Sequence, residues 1–299
     1  MIYLQSAIDI EEKSVKSEFY TDSRWLVEEI TSDISNVVDD LHTYCSMLDK
    51  GEDVNLQELG CAMKRFTDIL NGEYPRKIII STLEHPKIEK KMPIILDVYH
   101  DSLKWMEVLE AKDVNCLEDL DKLEYTQLYK KLVKAEAGSY GLNDGDRIAM
   151  IGAGSLPQTI LNIYSLAADK EIGLFGVEWD KASYDAAVNL TGRLGIENVK
   201  LIHDDGVEHD YSNYSVVVMA DQLVKKNEIL QKLDHNFNGR GIIMRTCSDN
   251  YNDLRQLIHA KQEKIKIPYG FSVSKIEKDP IVFPDSFYLT RKNSSIHHL

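Results

Sequence analysis

The sequence predicts an α/β protein in which an N-terminal helical domain precedes a Rossmann-like domain with a doubly wound sheet. In the second half, short apolar runs alternate with amphipathic segments, which is typical of βαβ units. In the first half, apolar residues recur at intervals of three and four, as on the buried face of a helix. The length of 299 residues accommodates two domains. We therefore predict a helical cap domain over residues 1–140 and a Rossmann-like domain over residues 141–299.

The composition excludes several classes of partner. The net charge is −14 at pH 7, and an acidic surface repels the phosphates of nucleic acids. No apolar run approaches the roughly 20 residues of a membrane-spanning helix, and residues 1–19 lack the features of a signal peptide. The four cysteines, Cys247 among them, form no CxxC pair, so we expect neither a disulfide framework nor a zinc site. We expect a cytoplasmic protein that binds neither nucleic acid nor membrane.

Four helices are predicted in the first half. The first begins near Ser23, where Asp22 or Ser23 provides the side-chain oxygen of an N-cap. The region near Arg76 to Lys91 is ambiguous: Ile78–Ile80 looks strand-like because β-branched residues favour strands, but Glu84–Lys91 is too charged to be core. The second, third and fourth predicted helices cover residues 55–70, about 92–111 and about 120–138.

Five short strands and three helices are predicted in the second half. The strands are mostly apolar, as expected for a parallel sheet covered by helices on both faces. The predicted strands are residues 147–151, 173–178, 199–203, 215–220 and 241–245, and the predicted helices are residues 158–168, 181–194 and 225–233.

A glycine loop follows the first predicted strand. Gly152 and Gly154 allow the backbone to approach a ligand at the carboxyl end of the sheet, with Ser155 and Leu156 next in the loop. Pro157 occupies the position of the third glycine in the dinucleotide fingerprint, which disfavours an NAD-dependent oxidoreductase. An ordinary strand-to-helix turn is the alternative interpretation of this loop.

Acidic residues follow the second and third predicted strands. Glu178 can accept the ribose hydroxyls of an adenosine, and Asp204 or Asp205 can accept from an adenine amino group. Ala220 ends the fourth strand at the same edge. A solvated acid at a strand end is the alternative interpretation of each carboxylate. Together with the glycine loop, these positions have the layout of an S-adenosylmethionine (SAM) site on a class I methyltransferase-type sheet.

Several segments resemble one enzyme family. The loop Ile151–Thr159 resembles the GSGPLPLT segment of nicotianamine synthases and the related segment of staphylopine-type opine metallophore synthases. Met106–Ala111 is similar to the family's helix with a catalytic glutamate, and Met244–Thr246 also fits. Tyr125–Tyr129, with Leu132 and Glu136, is similar to the family's tyrosine-bearing helix, and the resemblance covers about residues 95 to 290.

The resemblance implies a transferase that moves the aminobutanoyl group of SAM to an amine and releases methylthioadenosine. It implies that Glu107 is the general base, with Glu110 as the rival candidate, and that Tyr129 is its hydrogen-bond partner. Arg245 would clamp a substrate carboxylate, and Glu136 would belong to the same substrate site. In this family's metallophore biosynthesis the product binds the metal, so no metal site on the protein is implied.

Other interpretations remain open at the level of sequence. A small-molecule SAM methyltransferase with a helical cap would share the loop and Glu178 but would not need Glu107. A protein that only binds a ligand would show no turnover. The acceptor can be histidine, another amino acid or aminobutanoate, and a homodimer is compatible with the sequence. Trp179 is expected to pack in the core, and His203 and His209 are not expected to bind metal.

Overall fold

A computed structural model describes residues 19–123, 126–246, 254, 264–277 and 285–292. The N-terminal segment considered for a signal peptide, Tyr125 and Cys247 lie outside the described residues. Among the helices of the described ranges, none combines the length and the apolar character needed to cross a membrane.

The first two helices are α1 (Phe19–Asp49) and α2 (Leu56–Leu70). The predicted cap at Asp22 or Ser23 is wrong, because α1 begins at Phe19 and both residues lie within the helix. The prediction for α2 is confirmed: the Asn55 side chain accepts hydrogen bonds from two first-turn N–H groups, as an N-cap does.

The next two helices are α3 (Arg76–Leu83) and α4 (Pro86–Asp113). The strand-like interpretation of Ile78–Ile80 is wrong, because tertiary packing of Ile78 and Ile79 in a helix overrides their strand propensity. α4 begins earlier than predicted because Pro86 can occupy the first turn, where a missing N–H breaks no helical hydrogen bond.

The fourth predicted helix is two helices, α5 (Leu117–Leu120) and α6 (Thr126–Tyr140). The five predicted strands are confirmed as β1 to β5, and three predicted helices lie between them. The elements are β1 (Arg147–Ile151), α7 (Gln158–Leu166), β2 (Gly173–Glu178), α8 (Lys181–Arg193), β3 (Val199–His203), β4 (Val216–Met219), α9 (Lys226–Asn236) and β5 (Gly241–Thr246).

Two further strands, β6 (Phe271–Lys275) and β7 (Asp285–Arg291), complete the sheet. The order in the seven-stranded sheet is β3-β2-β1-β4-β5-β7-β6. β1 to β5 are parallel, as predicted, but β7 is antiparallel to both β5 and β6, so the sheet is mixed. The strand order reverses beside β1, which places the end of β1 at the topological switch point.

The two faces of the sheet bury alternate residues of each strand. In β1, Ala149 and Ile151 join one apolar cluster, which includes α9 residues such as Leu233. Ile148 and Met150 join a second cluster, which includes α7 residues such as Ile160. The central strands are therefore covered on both faces, and their carboxyl ends emerge at one edge.

The chain divides into two compact units, and the division falls within α4. The first unit extends to Leu103, and the second begins at Lys104 and includes the end of α4, α5, α6 and the sheet. The domain boundary near residue 140 stays a prediction. All the contacts of the candidate site below lie within the second unit.

Candidate active site

The glycine loop folds tightly against β2 because two of its residues adopt left-handed backbone conformations. Gly152 has φ 73° and Gly154 has φ 71°, a region that glycine adopts without steric cost. The Gly152 N–H donates to the Val177 carbonyl at 3.0 Å. A Cβ atom on Gly152 would lie 2.8 Å from Leu223 Cδ2. The sequence therefore needs glycine here for both backbone conformation and space.

Glu178 closes this loop from the end of β2. Its Oε2 accepts the Gly154 N–H at 2.9 Å, and its Oε1 accepts the Asp180 N–H at 2.9 Å. Burial raises the pKa of Glu178, and these N–H donors oppose the increase. The Trp179 N–H also donates to this carboxylate, which can accept about four hydrogen bonds in all. The expected ribose contact stays a prediction, with acceptor capacity left for it.

Glu107, on α4, contacts the other side of the same loop. A Cβ atom on Gly154 would lie 2.7 Å from Glu107 Oε2, so the carboxylate lies directly against the glycine. The backbone N–H groups of Ser155 and Leu156 donate to this carboxylate. Burial raises the pKa of Glu107 to about 8, and the charges of Glu110 and Glu178 add to the increase. The loop amides favour the ionised form and lower the pKa of Glu107, but the effect of burial on this pKa is larger.

The remaining expected adenosine contacts lie at the same edge of the sheet. The Asp204 N–H donates to the Glu178 carbonyl at 3.1 Å, and the Ala220 N–H donates to the Ile151 carbonyl at 3.1 Å. Asp205 Oδ1 accepts the Val207 N–H at 2.8 Å. The structure thus brings the ends of β1 to β4 together, while the ligand roles of these residues stay predictions.

His209 is a neighbour of this edge that the sequence analysis did not select as a site residue. Its Nδ1 lies 2.8 Å from Asp204 Oδ2, and its Nε2 lies 3.0 Å from the Tyr214 hydroxyl. The histidine ring therefore orients the Asp204 carboxylate. No sequence motif indicated this contact, because an acid followed by a histidine five residues later has no specific meaning in an acid-rich chain.

Arg245 and Glu136 form a buried ion pair. Their side chains are 1% and 0% exposed and form a bidentate pair, with Nε donating to Oε1 at 2.9 Å and Nη2 donating to Oε2 at 2.8 Å. Thr159 accepts from Nη1 at 2.7 Å, and Ser286 donates to Glu136 at 2.6 Å. The guanidinium thus binds a carboxylate of its own chain, and the expected clamp on a substrate carboxylate stays a prediction.

Tyr129 lies on α6, half-buried. Burial lowers the pKa of Arg245, the Glu136 carboxylate more than offsets this and raises it, and Tyr129 adds a smaller increase. The structure thus associates Tyr129 with the buried pair, and its expected hydrogen bond to Glu107 stays a prediction. Trp179 is 72% exposed, so its expected packing in the core is wrong. Within the described ranges, no group of three or more His, Cys, Asp or Glu side chains has a metal-binding arrangement.

Comparisons with known proteins show similarity at the level of fold. No protein-family model matches the sequence, and no curated protein matches it. A glutamate-to-glutamine variant of the nicotianamine synthase MtNAS superposes with a TM-score of 0.65 at 17% identity, covering 87% of this chain and 97% of that one. The same variant in complex with SAM gives a TM-score of 0.63 at 17% identity, with 87% and 97% covered. MtNAS in complex with MTA and tNA superposes with a TM-score of 0.60 at 17% identity, covering 85% of this chain and 97% of that one. The chain has the fold of these nicotianamine synthase structures.

Proposed function

We propose that this protein is a SAM-dependent transferase that moves the aminobutanoyl group of SAM to an amine acceptor and releases methylthioadenosine. One observation carries the proposal: the half-buried Glu107 carboxylate lies against Gly154, held by the amides of Ser155 and Leu156. An amine nucleophile needs a general base, and a base at this loop would lie beside the reacting carbon. The shared fold with MtNAS, which binds SAM in one solved complex, supports the proposal.

The residues at the sheet edge fit SAM as a substrate. Gly152 and Gly154 carry no side chain that would separate the loop backbone from a ligand, and Leu223 and Glu107 line the space beside them. Glu178 has acceptor capacity for ribose hydroxyls after holding the loop. Asp204 and Asp205 would contact the adenine. Bound SAM would supply an electrophilic carbon attached to a sulfonium.

Glu107 would remove the proton that the amine loses on attack. A bond forms between the amine nitrogen and the γ-carbon as the bond from that carbon to sulfur breaks, and the sulfur keeps the electron pair. The proton passes to a Glu107 oxygen. With a pKa of about 8, Glu107 is mostly protonated at pH 7 in the free protein. A neighbouring sulfonium would lower this pKa, because a positive charge favours the carboxylate.

Positioning decides which carbon of the sulfonium reacts, because the methyl group and the γ-carbon are both electrophilic. The product of aminobutanoyl transfer has an added amine and an added carboxylate, which are metal-chelating groups. We therefore place the reaction in metallophore biosynthesis, with an amino acid or aminobutanoate as the acceptor. A cytoplasmic location and a homodimer belong to the same proposal. A SAM-dependent methyltransferase is the alternative, and it would release S-adenosylhomocysteine.

Substitution of Glu107 tests the assignment. We expect Glu107→Gln to bind SAM with an affinity within about threefold of the wild type and to slow transfer by about 100-fold or more, the range for a lost general base. Glu110→Gln, at the rival candidate on the same helix, should retain most activity. Calorimetry measures binding, and quenched assays at saturating SAM measure transfer. Wild-type turnover by Glu107→Gln would overturn the role of this residue.

A further inference from the structure

A second concave site lies in the same unit, among α5, the first two turns of α6 and α7. This α5–α7 cleft has a volume of about 160 Å³, and its walls include Glu118, Asp121, Thr126, Lys130 and Gln158. An apolar cavity of about 150 Å³ is large enough for benzene, which has six non-hydrogen atoms. The cleft therefore has room for a molecule of about six to eight non-hydrogen atoms.

Two buried polar atoms in the walls of the cleft lack hydrogen-bond partners within the described part of the chain: Thr126 Oγ1 and Gln158 Oε1. Thr126 is 2% exposed and Gln158 is 6% exposed. A buried polar atom without a partner destabilises the fold, so such atoms usually meet a partner from outside the chain. Gln158 Oε1 needs a donor, and the Thr126 hydroxyl can donate.

The charges around the cleft are of both signs. Lys130 forms an ion pair with Asp121, and Glu118 adds a second carboxylate. Thr126 and Gln158 are the first residues of α6 and α7, so the positive ends of two helix dipoles lie at the cleft. Lys130 and the two helix N-termini therefore suit a carboxylate of a ligand. The side-chain oxygens of Glu118 and Gln158 suit an ammonium group of a ligand.

We propose that the α5–α7 cleft binds a small α-amino acid as a zwitterion. The ligand's ammonium donates to Gln158 Oε1 and interacts with Glu118. The ligand's carboxylate accepts from the Thr126 hydroxyl and interacts with Lys130. L-Serine, with seven non-hydrogen atoms, matches the volume. The proposal does not depend on transferase activity, so it can fail or succeed separately from the proposed function.

A titration of the full-length protein with three probes, followed by NMR of amide shifts, tests the proposal. The probes are L-serine, propionate and propylamine, which separate the zwitterion from its two halves. We expect L-serine to shift the amide resonances of α5, α6 and α7. Its affinity should be at least about tenfold higher than that of propionate or propylamine. Equal binding of propionate or propylamine, or no shift with any probe, would overturn the proposal.

Two substitutions locate the site. Thr126→Val and Gln158→Met should each weaken L-serine binding about tenfold or more, and the matched control Gln127→Met, exposed on α6, should leave it unchanged. Thermal unfolding without ligand checks the fold, and Thr126→Val should unfold at or above the wild-type temperature because it removes a buried hydroxyl without a partner. Wild-type affinity in a folded Thr126→Val variant would contradict the proposed carboxylate contact.

Discussion

The half-buried position of Glu107 against the glycine loop predicts an unusual dependence of stability on pH. Burial raises the pKa of Glu107 to about 8 from 4.5, so the unfolded chain loses this proton at a lower pH than the folded chain. The contribution of Glu107 to stability is therefore fully present below pH 4.5 and is lost as the pH rises through 8. A pKa change of this size lowers the free energy of unfolding by about 5 kcal/mol over the whole titration. About 4 kcal/mol of this loss occurs between pH 5 and pH 9.

Glu107→Gln removes the titration and keeps a similar shape. We expect the variant to gain about 4 kcal/mol in free energy of unfolding relative to the wild type as the pH rises from 5 to 9. Urea unfolding at pH 5, 7 and 9 measures this difference. The control Glu197→Gln changes an exposed glutamate of the same unit and should follow the wild type at each pH. Parallel curves for Glu107→Gln and the wild type would refute the reasoning, because Glu107 would then be solvated.

Three further predictions test the loop and its supports. Gly154→Ala should lower the free energy of unfolding, measured with urea at pH 5, by about 1–3 kcal/mol more than Gly195→Ala does. Both glycines have positive φ, but a Cβ atom would meet a side chain only at Gly154. Equal losses in the two variants would contradict this prediction. Arg245→Met should lower the free energy of unfolding by about 3–5 kcal/mol, because it leaves the Glu136 carboxylate charged and unpaired. Adding Glu136→Leu should restore most of this loss. If urea unfolding shows no recovery in the double variant, the pairing is contradicted. Glu178→Ala should weaken SAM binding about tenfold or more by calorimetry, and unchanged affinity would rule out the ribose contact.

The parallel part of the sheet was predictable because its signals are local. Strands such as Arg147–Ile151 are short, mostly apolar and bounded by glycine or polar residues, and β1, β2 and β4 are each followed by a helix. The loop with Gly152 and Gly154 was identifiable for the same reason. The edge strand Phe271–Lys275 lacked such a signal, because only Phe271 in it is buried.

The supports of the site were not predictable from local pattern. Arg245 and Glu136 are 109 residues apart, and their pairing depends on how α6 packs on β5. The sequence showed an arginine at a strand end but not the carboxylate facing it. Glu107 was selected through family resemblance, since its helix has no local feature that distinguishes it from a solvated acidic face. Its contact with Gly154 comes from tertiary packing.

The identity of the released nucleoside tests the central claim most directly. The purified protein would be incubated with SAM and with L-His, D-His, other amino acids or no amine, and the nucleoside would be identified by mass spectrometry. The account predicts methylthioadenosine whose formation depends on one of the amines. S-Adenosylhomocysteine formed in its place would contradict the account and establish a methyltransferase.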